Sequence, residues 1–192
     1  MATATRPDRL HFTGNDDADA LIARDPFALL VGFALDQQVP VSTAFSGPLK
    51  IKQRLRTLDP PEIANTDPAK LEAAFREKPA VHRFPGTMAQ RVQDLARVIS
   101  EDYGGDAERV WTQARDGQDL KARLASLPGF GDMKVRAMLG VLSKRFGLQL
   151  EGMDEVVPKH PTLGDVDSPE ALAEYQAKKR AHKAEMRARR SS

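Results

Sequence analysis

The chain has 192 residues and no cysteine; 41% of its residues are hydrophobic, 29% are charged, and its formal net charge is +2. The missing cysteines exclude disulfides, thiolate zinc sites, cysteine-ligated iron–sulfur clusters and cysteine nucleophiles, and they favour a cytoplasmic protein. The longest apolar run, residues 27–35, covers nine residues, whereas a membrane-spanning helix needs about 20. With no signal-peptide pattern at the N-terminus either, we expect neither secretion nor membrane insertion.

Helical periodicity dominates the chain, and strand-like alternation is hard to find, so the sequence predicts an all-α protein. Residues 16–24 are a short stretch of mixed polarity. Residues 27–35 are apolar on every side, which is typical of a helix surrounded by others. Residues 41–56 indicate a further helix that Gly47-Pro48 kinks or splits. Residues 59–61, Asp-Pro-Pro, then break the helical pattern.

Capping signals and glycines delimit the helices that follow. Asp67 before Pro68 predicts a helix that runs to about Glu77, and Thr87 is expected to cap the next helix, which ends at residues 104–105. Two shorter helices are predicted around Trp111 and over residues 120–127. Residues 147–167 have no clear period and predict an irregular segment.

The last predicted helix opens at Ser168-Pro169 and is basic, with seven Lys or Arg against three Glu from residue 170 onward. The rest of the chain therefore carries a formal charge of 22 − 24 = −2. Such a tail either holds phosphates or is a solvated, frayed helix end.

One turn between predicted helices is very short. After Leu127 only Pro128, Gly129, Phe130 and Gly131 interrupt the helical period. Glycine at 129 and 131 lets the backbone take positive φ and approach a ligand closely. Unpaired amides at the following helix N-terminus suit an anion, and a lysine one turn further on, Lys134, adds charge. A DNA phosphate is one candidate ligand; an ordinary helix–helix turn is the alternative.

The string Leu-Ala-Ser-Leu-Pro-Gly-Phe-Gly-Asp-Met-Lys-Val, residues 124–135, resembles the helix-hairpin-helix of the HhH-GPD base-excision DNA glycosylase superfamily, which includes endonuclease III and 3-methyladenine DNA glycosylase II. Residues 85–99 resemble the helix that precedes the hairpin in that family. Residues 30–41, with Gln37 and Gln38, are similar to its apolar helix ending in glutamine. The three motifs occur in the family's order and together span about residues 27–146.

The resemblance implies an all-α, two-lobed fold with a DNA cleft between the lobes, into which a damaged or mispaired base of double-stranded DNA is flipped. It implies that Gln37 or Gln38 fills the gap left by that base; a helix C-cap or a surface polar pair is the alternative. It also implies Na⁺ or K⁺ at the hairpin carbonyls, and no iron–sulfur cluster or other metal is expected. The residues expected to hold the DNA phosphate are those of the hairpin: Gly129, Phe130, Gly131, Met133 and Lys134.

Two positions depart from the family's pattern. Strand-cleaving members carry a lysine two residues after the second hairpin glycine, where this chain has Met133. Lys134 lies one residue later, about 100° around an ideal helix, so we expect a monofunctional glycosylase in which Lys134 contacts phosphate or is simply solvated. At the family's spacing beyond the hairpin, the chain has no Val-Asp-Thr-like segment with a catalytic aspartate. Asp154 is the nearest candidate, with Glu151 and Glu155 as rivals; all three as surface acids is the alternative.

We therefore expect an N-terminal segment over residues 1–26 that packs with the C-terminal lobe, a helical core over 27–146 with the helix-hairpin-helix at about 118–146, and an irregular wrap with a basic helix over 147–192. The leading hypothesis is a cytoplasmic base-excision DNA N-glycosylase, nucleoid-associated if bacterial. A non-catalytic lesion or junction binder and a helical interaction protein are the alternatives. A local basic face would help DNA binding, formed by Lys121, Arg123, Lys134, Arg136, Lys144 and Arg145.

Overall fold

The computed structural model describes residues 4–191. Residues 1–3 and 192, which belong to the expected segments 1–26 and 147–192, lie outside the described residues. Every regular element of residues 4–191 is a helix. The helices are α1 (Asp16–Arg24), α2 (Pro26–Leu35), α3 (Val41–Leu55), α4 (Pro60–Asn65), α5 (Pro68–Arg76), α6 (Pro85–Tyr103), α7 (Arg109–Thr112), α8 (Gly117–Ala125), α9 (Asp132–Lys144), α10 (Met153–Val156) and α11 (Pro169–Arg190), with a 3-10 turn at Leu163–Asp165.

Helix α2 is the centre of the fold. Nine of its ten residues are buried, and it packs against α1, α3 and α6. Asp25 caps it, since its side chain accepts from the amides of Phe27 and Ala28. Because α2 is enclosed, the loop at its C-terminal end is held at a defined place on the surface.

Prolines account for three differences from the predicted elements. Pro48 does not split α3, which continues to Leu55. Pro60 begins the short helix α4 where the sequence predicted only a break, and Pro85 begins α6 two residues before the predicted cap at Thr87. Proline has no amide to lose at the first helical position, and its fixed φ suits the helix there.

The C-terminal half is built around α8 and α9, which meet at the short glycine turn. Helix α10 packs against the start of α8, and the 3-10 turn packs against α9. The N-terminal segment reaches the end of α9, where the Thr5 amide donates to the Phe146 carbonyl at 2.7 Å. Ser168 caps α11 as predicted, accepting from the Ala171 amide.

Buried side chains from the N-terminal segment, α2, α6, α8 and α9 form one contiguous hydrophobic cluster. The predicted all-α fold class is confirmed. Within residues 4–191, none of the helices has both the length and the apolar character that crossing a membrane requires.

Candidate nucleic-acid interface

The turn between α8 and α9, residues 126–131, is held in place by side chains that point into the core. Leu127 and Phe130 are buried, and the Phe130 ring lies 6.3 Å from that of Phe33 in α2. Gly129 has φ +82°, and a Cβ added there would lie 2.5 Å from Cδ of Arg91. Glycine is therefore required at 129 both by backbone conformation and by the approach of Arg91.

Gly131 does not have the positive φ that the sequence predicted. Its φ is −78°, an ordinary value for any residue, so that expectation is wrong for this glycine. A Cβ added at Gly131 would meet no atom within 4 Å. Its missing side chain leaves open space in front of the first turn of α9.

The amides around this open space lack protein partners. The Phe130 amide donates to Leu127 at 3.1 Å, and the Val135 amide closes the first turn of α9 on Gly131 at 3.0 Å. Gly131 has no side chain with which to cap the helix. Among residues 4–191, no group accepts from the amides at positions 129 and 131–134. A cluster of unpaired N–H groups at a helix N-terminus is an anion-binding geometry.

Residues 36–40, between α2 and α3, form a second exposed turn, which we call the wedge loop. The side-chain oxygen of Gln37 accepts from Arg91 Nη1 at 2.5 Å, so Arg91 links this loop to Gly129 of the hairpin. Gln38 is exposed and has φ +57°, a conformation that is costly for a residue with a side chain. Of the two predicted glutamines, Gln38 is the one whose amide has no partner among the described side chains.

His82 is a buried residue that holds the backbone of the wedge loop in place. It is 1% exposed; its Nδ1 accepts from the Phe84 amide at 3.0 Å, and its Nε2 lies 3.0 Å from the Gln37 carbonyl. An Nδ1 acceptor leaves the proton on Nε2, which donates to Gln37. Burial lowers the pKa of His82, with Arg91 and Lys134 acting in the same direction. His82 is therefore a structural residue.

Lys134 is neither exposed nor freely solvated. Its Nζ donates to the Ala34 carbonyl in the last turn of α2 at 3.0 Å, which joins the hairpin to the wedge loop. Burial, aided by Arg91, lowers the pKa of Lys134 to about 8, although Asp36 opposes this shift. Met133, at the position of the family's catalytic lysine, is 79% exposed beside the free amides.

Asp36, the first residue of the wedge loop, is a carboxylate near Lys134 that sequence reasoning missed. Burial raises its pKa, and the charges of Lys179 and Lys134 counteract that rise. Its only sequence signal is a charged residue at the end of an otherwise apolar helix.

The predicted acids lie elsewhere. Asp154, Glu151 and Glu155 are exposed, in or beside α10. This segment meets the start of α8, where the Gly117 amide donates to the Glu151 carbonyl at 2.8 Å. The nine residues of α8 separate that contact from the hairpin turn, a length of about 12 Å. The structure brings Gln37, Gln38 and the hairpin together and leaves the three acids apart.

Three of the six cations of the predicted basic face have an aspartate partner. Arg123 pairs with Asp119, Arg136 with Asp132 and Lys144 with Asp165, at 3.1, 3.0 and 2.6 Å. Of the other three, Lys134 donates to the Ala34 carbonyl, and Lys121 and Arg145 have no carboxylate within salt-bridge distance among residues 4–191. Arg91, which approaches Gly129, adds positive charge at the hairpin. Within residues 4–191, His, Asp and Glu side chains form no group of three suited to a metal ion.

The geometry described above agrees with the comparisons with known proteins. A family model described as "HhH-GPD superfamily base excision DNA repair protein" matches residues 31–189. A search of curated proteins found no match, and neither did a search of solved structures. The matched region contains the wedge loop, α6, the hairpin and most of α11, so the resemblance seen in the sequence is confirmed. The chain belongs to the HhH-GPD superfamily of base excision DNA repair proteins.

Proposed function

We propose that the protein is a monofunctional DNA glycosylase that hydrolyses the N-glycosidic bond of a damaged or mispaired base in double-stranded DNA. The observation that carries this proposal is the group of unpaired amides at 129 and 131–134, which face open space in front of α9. A phosphate oxygen placed there accepts several N–H groups at once and lies at the positive end of the helix dipole.

The wedge loop supplies the second element. Gln38 projects from a loop that His82 and Arg91 hold in place through Gln37, so little backbone freedom is left to lose when its side-chain amide enters the duplex. A side-chain amide hydrogen-bonds the edge of an unpaired base, which offsets part of the cost of flipping its partner.

Hydrolysis breaks the bond from C1′ to the base nitrogen, whose electron pair leaves with the base; water adds at C1′, and the proton that it loses is balanced by the proton that the departing base takes up. A carboxylate stabilises the positive charge that develops on the sugar. Asp154 remains the sequence-based candidate. Asp36 is the second candidate, because its negative charge acts on Lys134 of the hairpin. The two candidates are distinguished by mutation. Only the variant that removes the catalytic carboxylate, Asp154→Asn or Asp36→Asn, should abolish base excision while DNA binding is retained.

A monovalent cation at the hairpin is part of the proposal. The carbonyl oxygens of Ser126, Pro128 and Gly129 accept no hydrogen bond from residues 4–191. Oxygen ligands of this kind suit Na⁺ or K⁺, which would brace the turn beneath the phosphate.

A lesion panel tests the activity. Duplexes containing uracil, alkylated purines, oxidised guanine or deaminated adenine are incubated with the protein and then treated with alkali. Strand breaks that appear only after alkali are expected. Borohydride-trapped complexes that disappear in Lys134→Met would contradict the monofunctional proposal, because Lys134 would then be a Schiff-base nucleophile.

A specific observation favours a second candidate, a non-catalytic lesion or junction binder. The three predicted acids lie at the far end of α8 from the hairpin. Duplex binding without release of any base would support this binder.

Gly131→Asp tests the amide site with the fold intact. Its φ and the open space accept a side chain, and aspartate is a preferred N-cap that bonds the amides of the first turn. We expect unchanged or higher thermal stability together with loss of duplex binding, because the carboxylate occupies the phosphate site. Gly131→Val is the uncharged companion variant. Full DNA affinity in both would remove the amide site from the proposal.

A further inference from the structure

Helix α11 leaves the body of the protein beside the wedge loop. Leu172 is its only buried residue, and every residue from 177 to 190 is exposed. Before it leaves, α11 forms one wall of a groove of about 230 Å³, whose other wall is Val39, Pro40 and Val41. The helical residues that line this groove are Gln176, Lys179, Arg180 and Lys183. The direction of α11 is therefore set relative to Gln38.

Charge is segregated around α11. At 100° per residue, five cations fall within about 100° of one another and continue the face on which Leu172 docks. The three glutamates, at 170, 174 and 185, fall on the opposite side of the helix. We call the five cations the α11 stripe: Lys179, Arg180, Lys183, Arg187 and Arg190.

Within residues 4–191 the stripe forms no salt bridge. In the part of the chain that the structure describes, none of its five side chains has a carboxylate within the 4.0 Å of a salt bridge; Asp36 acts on Lys179 only at longer range. This contrasts with Arg123, Arg136 and Lys144 around the hairpin, each of which has an aspartate partner. A helix that is polar all round needs an external partner or many internal ion pairs to be stable.

We propose that the α11 stripe binds the phosphate backbone of the duplex on the side of the lesion that the wedge loop faces. The stripe runs about 16 Å from Lys179 to Arg190 at 1.5 Å per residue, long enough to follow a groove edge. Charge complementarity identifies the partner as a polyanion, and the adjacent wedge loop identifies that polyanion as the duplex being probed. This inference rests on the proposed function for the identity of the duplex.

Salt dependence of duplex binding tests the stripe. The triple variant Lys179→Gln, Lys183→Gln, Arg187→Gln removes three charges from it. Removal of one phosphate-binding cation reduces the slope of log affinity against log salt by about one. The expected result is a slope smaller by about three, measured by fluorescence anisotropy on an intact and on a lesion-containing duplex. The matched control, Lys178→Gln with Arg189→Gln, removes charge from the opposite face of the same helix and leaves the slope nearly unchanged.

Equal salt slopes for the triple variant and the control would overturn the inference. So would single-stranded RNA of the same length competing as well as the duplex does, because the partner would then be a different nucleic acid. A failure of the proposed glycosylase activity can be told apart from a failure of this inference. In that case no base is released, yet the stripe still determines the salt dependence of duplex binding. Loss of binding in Gly131→Asp alone, with an inert stripe, overturns the inference and leaves the proposed function standing.

The absence of cysteine from the sequence allows a positional test. The variants Lys183→Cys and Lys178→Cys each contain a single thiol, to which a photo-crosslinker is attached. Crosslinks from position 183 to nucleotides on one flank of the lesion are expected, with few from position 178. Equal crosslinking from both positions, or none from 183, would contradict the proposed orientation of α11.

Discussion

The hairpin turn and the wedge loop both connect helices and are linked through Arg91, yet they are built in opposite ways. In the hairpin turn, Leu127 and Phe130 anchor the chain, while glycines keep the amides free and uncovered. In the wedge loop the backbone is fixed by other side chains, with His82 bonded to the Gln37 carbonyl and Arg91 to the Gln37 side chain.

The difference reflects what each turn presents. Backbone amides that bind a phosphate must not be covered by side chains. A side chain that enters the duplex needs a backbone that is held in place. Arg91 and Lys134 connect the two turns, since Arg91 packs on Gly129 and bonds Gln37, and Lys134 bonds the end of α2. A change in one turn should therefore be felt in the other through these two residues and through the contact of Phe130 with Phe33 in α2.

The largest effect is expected at Gly129. Gly129→Val forces a β-branched residue to φ +82° and against Arg91, which we expect to lower the free energy of unfolding by about 2 kcal/mol and to abolish duplex binding. Denaturant titration and anisotropy measure both. Gly147→Val is the control, since Gly147 also has positive φ, +60°, with open space around it. It should lose stability but keep its DNA affinity; equal loss of affinity would break the distinction between the turns.

Removing the support of the wedge loop is the next test. His82→Leu leaves the Phe84 amide and the Gln37 carbonyl without their partner, and we expect a loss of about 2 kcal/mol in stability. A fluorescent base analogue opposite the wedge should report less complete flipping, while the salt dependence of binding stays as in the wild type. A change in salt dependence instead would mean that His82 also supports the phosphate site.

pH sharpens the same comparison. Because the pKa of His82 is lowered in the folded protein, the folded state binds fewer protons than the unfolded state. The stability this provides is present above the unfolded pKa of about 6.5 and is lost as pH falls through the lower folded pKa. Urea midpoints at pH 7.5 and 5.5 should fall more for wild type than for His82→Leu. Parallel curves would exclude His82 as the cause.

The smallest effect is expected at Gln38. Gln38→Gly relieves the cost of positive φ and should raise stability by up to about 1 kcal/mol, whereas Gln38→Ala should not. Both remove the wedge amide and should reduce base flipping equally, as measured with the fluorescent analogue. Unequal flipping by the two variants would show that loop conformation, rather than the amide, carries the wedge function.

Local residue chemistry predicted much of the molecule. Asp67 and Ser168 marked two helix starts, and the glycine turn after Leu127 marked the hairpin, because caps and turns depend on adjacent residues. Proline was misread at 60 and 85 because the same residue breaks a helix inside it and begins one at its first position.

Sequence alone determined the fold class, the family motifs and the positions of the two exposed turns, since each follows from periodicity or from residues close together in the chain. Only the tertiary structure decided that Arg91 and Lys134 connect those turns, that His82 supports the wedge loop, that the segment carrying Asp154 meets the start of α8, and that α11 passes the wedge loop. The bonds of His82 and Arg91 to the wedge loop and of Lys134 to α2 join residues 45, 54 and 100 positions apart, whose proximity arises from packing around α2 and leaves no local pattern.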